Sequence, residues 1–154
     1  MSDLFIRIKR SISNNKKSSR RVLNNSGDSN SNKESPRNNK HLICDDSYSN
    51  RIILKKYLEM CNCKVEEVEH IPEIIDYIKK NGEYIVIWIN SNMPDMEGID
   101  CTKYLREKLH YNGKIIALTG YIDENMRKEC LSAGINEIVC KPFNKQSIEK
   151  LCFT

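Results

Sequence analysis

From residue 40 onward the chain alternates short apolar runs with longer segments whose apolar residues recur every three to four positions. Strands and helices leave different periods, two residues against about 3.6, so the order of elements can be read from the pattern. His41 to Cys44, Cys63 to Val68, Tyr84 to Ile89, Lys114 to Leu118 and Ile138 to Cys140 predict five strands. Ser49 to Met60, Ile71 to Lys80, residues 99–108, Asp123 to Ser132 and Lys145 to Phe153 predict five helices. The first helix presents Ile52, Ile53, Tyr57 and Leu58 as its apolar face. Pro72 suits the first turn of the second, and Gly134 a left-handed cap after the fourth. Tyr84 to Ile89 carries no charged residue, as a strand buried on both faces requires. Alternation of this kind predicts an α/β fold: a doubly wound, five-stranded parallel sheet covered on both sides. Its functional crevice is then expected at the carboxyl ends of the strands.

Residues 1–39 break the pattern. Asn, Ser, Lys and Arg dominate from residue 13, with Val22 and Leu23 isolated among them. A segment with so little to bury cannot offset its ordering entropy, so a disordered basic tail is expected. Only Leu4, Phe5, Ile8 and Ile12, at helical spacing beside Arg7, Lys9 and Arg10, suggest a short amphipathic helix. The net charge of +4 conceals an asymmetry: residues 1–40 hold ten Lys/Arg against three Asp/Glu, leaving fifteen against eighteen for the rest. The basic character therefore belongs to the tail. A nucleic-acid-binding arm is one reading of it, but residues 13–40 offer no aromatic to stack on a base, and a solvated leader is preferred.

No run of 18 apolar residues exists to span a membrane, and the first residues are too polar for a secretory signal. Seven cysteines, odd in number and mostly inside apolar segments, read as reduced thiols of a cytoplasmic protein. Cys61-Asn62-Cys63 lacks the second half of a zinc site.

Polar residues of distinctive chemistry follow the predicted strands. Asp45 and Asp46 come after the first, Asn90 after the third, Thr119 after the fourth, and Lys141-Pro142 after the fifth. Together with Asn90-Ser91-Asn92-Met93-Pro94-Asp95-Met96-Glu97-Gly98, Thr119-Gly120, Ala133-Gly134 and Lys141-Pro142-Phe143, in this order, they make residues 40–154 resemble a response-regulator receiver domain. The resemblance implies the flavodoxin-like receiver fold and a place in His–Asp phosphorelay (two-component) signalling. It implies Mg2+ held by Asp45, Asp46, the phosphoacceptor side chain and the Asn92 carbonyl, with Thr119 and Lys141 contacting the phosphoryl group. It also implies a cis bond before Pro142. The partners would be a histidine kinase, a phosphotransfer protein or an output protein.

Asn90 stands where that family carries the phosphoacceptor aspartate. An amide is no nucleophile for phosphoryl transfer, and it ligates a hard dication more weakly than a carboxylate. Two further departures are Ile138, where an aromatic residue is usual three positions before the lysine, and Glu97 before Gly98. The expectation is a pseudo-receiver: a protein-interaction module without enzymatic activity and with a weakened Mg2+ site. The alternatives are phosphorylation elsewhere, with Ser91 and Asp95 nearest, deamidation of Asn90, or a nucleic-acid adaptor acting through the tail. A flavodoxin-type cofactor site is disfavoured because the Asp45-Asp46-Ser47-Tyr48-Ser49 loop is acidic and lacks glycine.

Overall fold

The computed structural model describes residues 39–93 and 97–152. The expected tail, its amphipathic segment, Pro94-Asp95-Met96 and Phe153 lie outside the described residues. Five strands alternate with five helices: β1 (Lys40–Cys44), α1 (Tyr48–Met60), β2 (Lys64–Val68), α2 (Ile71–Asn81) and β3 (Val86–Asn90), then α3 (Gly98–Lys108), β4 (Lys114–Thr119), α4 (Glu124–Ala133), β5 (Glu137–Cys140) and α5 (Lys145–Cys152). All strand pairs are parallel, in the order β2-β1-β3-β4-β5. This is the doubly wound sheet that the alternation implies.

Every residue of β3 is buried, because the strand is central and covered on both faces. On one face Ile43, Val86, Trp88, Ile116 and Leu118 pack with Leu54 and Leu58 of α1 and Ile148 and Cys152 of α5. Strand alternation turns Leu42, Ile87, Ile89 and Ile115 to the opposite face, where α2, α3 and α4 pack in series. The seven cysteines are all free thiols, six of them buried and Cys140 exposed. Burial pushes the Cys101 thiol up to about 12 and raises that of Cys44 well above its usual value. Among the described residues, no helix is long and apolar enough to cross a membrane.

The apolar face expected for α1 is wrong in part. Ile52 and Ile53 are each 44% exposed, whereas Arg51, Leu54 and Leu58 are buried and Tyr57 is half-buried. Leu54, Leu58 and Cys61 form the stripe that meets the sheet at helical spacing, and Arg51 lies on that stripe one turn earlier. A guanidinium is tolerated there because it is paired: Nη1 donates to the Asp45 carbonyl at 2.8 Å and Nη2 to Glu69 at 2.5 Å. The third predicted strand also shifts, beginning at Val86. Tyr84 precedes it, buried, with its hydroxyl bonded to Glu66 and Asn81.

At the amino-terminal end of the sheet Arg106 ties three segments together. Nε and Nη2 donate to the Gly134 carbonyl at 3.1 and 2.9 Å, Nη1 to the Gly113 carbonyl at 2.8 Å, and Nη2 to Asn136 Oδ1 at 2.8 Å. Gly134 caps α4 in the left-handed region at φ 98° as its sequence position suggests, and a Cβ there would stand 2.9 Å from Arg106 Cγ. Arg106→Met keeps the aliphatic stem but strips these carbonyls of their donor. Urea unfolding is expected to show a loss of about 2 kcal/mol. An unchanged midpoint would mean that water replaces the guanidinium without cost.

A second polar pair lies within the core. His41 is fully buried, its Nδ1 accepts from Trp88 Nε1 at 3.1 Å, and its Nε2 has no partner. Desolvation lowers its pKa from 6.5 to about 4, so the folded protein keeps a neutral imidazole while the unfolded chain protonates near 6.5. Stability present above pH 6.5 is therefore lost as pH falls towards 4, by up to roughly 3 kcal/mol. Unfolding curves across this window should be steeper in pH for the wild type than for His41→Phe. Equal slopes would show that His41 does not carry the effect.

Candidate functional site

The chain reverses direction across the sheet between β1 and β3, and the loops leaving their carboxyl ends part to form a crevice there. Asp45 leaves β1 fully buried, and its carboxylate takes all the donors that surround it. Ser47 N–H donates to Oδ1 at 2.9 Å, the Asn50 amide to both oxygens at 3.3 Å, and Lys141 Nζ to Oδ2 at 2.7 Å. Asp46 projects outward and is exposed. Lys141 follows β5 after a backbone bond from its N–H to the Thr119 carbonyl at 2.6 Å, and the Lys141–Pro142 bond is cis, as the receiver resemblance implies.

Asn90 closes the group. Its Nδ2 donates to Asp46 Oδ1 at 2.9 Å and to the Asn92 carbonyl at 3.1 Å, while its Oδ1 accepts from Lys141 Nζ at 3.2 Å. This amide orientation is the one its neighbours permit. Reversed, the oxygen would face two acceptors and the NH2 would face an ammonium. The network joins the ends of β1, β3 and β5, so Asp45, Asp46, Asn90, Asn92 and Lys141 meet as the sequence suggests. Gly98 makes room for it: a Cβ there would lie 3.0 Å from both the Asn90 carbonyl oxygen and Ile89 Cγ2.

Thr119 is placed at the same end of the sheet, 1% exposed, but its hydroxyl is engaged in its own turn. Oγ1 donates to the Tyr121 carbonyl at 2.6 Å and accepts from Tyr121 N–H at 3.2 Å. Ile138 sits half-buried on the edge strand β5. Ser91, the neighbouring hydroxyl weighed as an alternative acceptor, is buried, and strand alternation sends it to the opposite face from Asn90. Asp95, the other alternative, lies outside the described residues.

Two participants escape sequence reasoning, Asn50 and Arg51. Asn50 fixes the Asp45 carboxylate, and Arg51 fixes the Asp45 carbonyl. A signal existed for Arg51, a charged residue on the buried stripe of α1. For Asn50, an ordinary polar residue in a first helical turn, there was none.

The donors are the hard oxygens that suit Mg2+: two carboxylates and a carbonyl. Asn90 already bonds two of them, Asp46 Oδ1 and the Asn92 carbonyl, through one NH2 group. Each acid therefore has a positive or N–H partner within the protein.

Residues 42–152 match the response regulator receiver domain as a family. Two-component response regulator 24 of Arabidopsis thaliana is 36% identical over 101 residues, covering 66% of this chain and 72% of that protein. The sensor kinase/phosphatase LuxQ of Vibrio vulnificus is 30% identical over 109 residues, 71% of this chain but 13% of LuxQ, so the chain spans a small part of that relative. The solved chemotaxis response regulator CheY4 of Vibrio cholerae superposes with a TM-score of 0.67 at 28% identity, covering 73% of this chain and 93% of CheY4. With the parallel sheet and the acidic strand-end crevice already in view, these matches settle the family: the chain belongs to the response-regulator receiver domains of two-component signalling, a family whose acidic pocket takes Mg2+ and whose partners are histidine kinases and phosphotransfer proteins.

Proposed function

We propose that this chain is a pseudo-receiver, a binding module of the His–Asp phosphorelay that is not switched by aspartyl phosphorylation and is not an enzyme. The observation that carries the reading is the Asn90 amide. Its NH2 lies between Asp46 Oδ1 and the Asn92 carbonyl, the oxygens that the family resemblance gives to the metal. A donor there does the neutralising work of a cation, and Mg2+ must displace it before binding. Affinity for the ion is weakened twice, by the lost carboxylate and by the bonds that must break.

The competing routes to a phosphoacceptor are less well supported. Strand alternation sends the buried Ser91 to the opposite face from Asn90. Deamidation needs Ser91 N to attack the Asn90 side chain, and that N–H is bonded to the Leu118 carbonyl at 2.8 Å. The partner surface on this reading is the exposed side of α1 beside the crevice. There Tyr48, Ile52 and Ile53, in the first two turns of α1, are 66, 44 and 44% exposed, and exposed apolar side chains of this kind suit a signalling protein such as a kinase or phosphotransfer domain.

Intact mass after incubation with Mg2+ and acetyl phosphate tests the central point. Wild type is expected to stay unmodified, and Asn90→Asp to gain one phosphoryl group, since Asp45, Asp46 and Lys141 are already in place. A phosphorylated wild type would overturn the reading.

Metal response gives an independent check. Without Mg2+, Asn90→Asp sets a third carboxylate against Asp46 and the Asn92 carbonyl, and should lose roughly 1–3 kcal/mol. Millimolar Mg2+ should raise the melting temperature of the variant markedly and that of the wild type little. Equal shifts would mean that Asn90 does not weaken the site.

A further inference from the structure

Cys61, Cys63 and Cys152 share the apolar cluster between the sheet and helices α1 and α5. They come from three places: the end of α1, the residue before β2 and the last turn of α5. Asn62 draws the first two together. It stands exposed in the left-handed region at φ 60°, and the turn it makes returns the cysteines on both sides of it to the core. Cys63 Sγ donates to the Cys61 carbonyl at 3.9 Å, and Cys152 Sγ to the Ile148 carbonyl, one turn back in α5, at 3.2 Å. The Cys152 thiol also meets the side chains of Cys61 and Cys63 in hydrogen-bond contact. A single buried cysteine packs as a small apolar residue. Thiols in contact, drawn from segments far apart in sequence, add a reaction that alanine or valine does not have.

We propose that Cys63 and Cys152 form a reversible disulfide when the protein meets a hydroperoxide. Cys63 sulfur attacks the O–O bond, which breaks to leave a sulfenic acid on Cys63 and an alcohol, or water from hydrogen peroxide. Cys152 sulfur then attacks the Cys63 sulfur; the S–S bond forms, the S–O bond breaks and water leaves. Both thiol hydrogens end on the peroxide oxygens, so two thiols are oxidised and one peroxide is reduced. A dithiol reverses the bond by exchange. The two cysteines are not equivalent. Burial raises the pKa of Cys63 and the bond from Cys152 offsets part of the rise, whereas burial and the bonds to Cys61 and Cys63 all push Cys152 upward. Cys63, 6% exposed against 1%, is therefore the thiol that ionises more readily and that an oxidant reaches first. Both remain mostly protonated at neutral pH, which makes the site slow and responsive to sustained oxidant. The disulfide ties the end of α5 to the turn that leaves α1. Its formation does not depend on the pseudo-receiver reading.

Peptide mapping of the reduced full chain after treatment with hydrogen peroxide tests the proposal, with the remaining thiols blocked by N-ethylmaleimide. Trypsin cuts after Lys56, Lys64 and Lys150, so residues 57–64 and 151–154 are expected as one linked pair, two hydrogens lighter than the separate peptides and released by dithiothreitol. The same treatment in concentrated urea, where no fold holds the sulfurs together, should give far less of this pair. Cys61→Ala should keep the link and Cys63→Ala should lose it. Absence of the pair from the folded wild type, an equal yield in urea, or a link that follows Cys61 instead of Cys63 would each overturn the proposal. The wild-type comparison stands even where a variant fails to fold. These measurements contain neither Mg2+ nor acetyl phosphate, so they leave the Asn90 reading to its own test.

Discussion

Lys141 reaches from the end of β5 to the buried carboxylate of Asp45 at 2.7 Å and to the Asn90 amide oxygen at 3.2 Å. Asp45 can be buried only because of such a partner: an unpaired carboxylate there would cost several kcal/mol and would expel itself or take a proton. The same ammonium fixes which way the Asn90 amide faces, and that orientation directs the NH2 to Asp46 and the Asn92 carbonyl. Backbone bonds from Ser91 N–H to the Leu118 carbonyl and from Lys141 N–H to the Thr119 carbonyl tie the loops to neighbouring strands, and the Lys141 ammonium and the Asn90 amide join the side chains across the crevice. Gly98 matters for the same reason, since a Cβ there would press on the Asn90 carbonyl and Ile89 Cγ2 at 3.0 Å and make the start of α3 shift.

Below this polar layer the sheet is an apolar slab. Central β3 and β4 are buried almost throughout, while β2 and β5 carry the half-exposed patterns of edge strands. The arrangement separates two tasks. Packing of Trp88, Ile116 and Leu118 against α1 and α5 fixes where the strands end, and the residues just past those ends carry whatever chemistry the protein has. His41 and Trp88 are the exception, a polar pair inside the slab. Their one hydrogen bond keeps the indole satisfied and leaves one imidazole nitrogen without a partner.

Much of this was legible in the sequence because strands and helices of a doubly wound fold have distinct periods. All five strands and five helices fall where the pattern put them, with ends displaced by a residue or two. The strand-end rule then located Asp45, Asp46, Asn90 and Lys141 without any contact information. The inner face of α1 was less legible. The pattern offers two apolar stripes, Ile52-Ile53 and Leu54-Leu58, and hydropathy alone ranks the isoleucines at least as highly. What decides is Arg51 pairing with the Asp45 carbonyl and Glu69, a long-range event that no local pattern records. The Thr119 hydroxyl was equally out of reach. Its position at the end of β4 follows from the fold, but its bond to Tyr121 depends on the turn that comes after.

Exchange of a carboxylate oxygen for an NH2 group is nearly isosteric, yet it reverses the sign of the group. An acceptor becomes a donor at the one place where acceptors crowd together. Three carboxylates in such a crevice repel one another, a cost that a receiver recovers on binding Mg2+ and uses when a phosphoryl group arrives. With asparagine the repulsion is removed at its source, since Asp46 and the Asn92 carbonyl find their donor within the chain. Sites held ready for chemistry are commonly destabilising, and relaxing them commonly trades function for stability. On the proposed reading Asn90 makes that trade in one residue. The frame of Asp45, Lys141 and Gly98 stays useful for another reason: it still fixes the loop beside the exposed apolar side of α1, which a binding partner would meet whether or not phosphoryl transfer ever occurs.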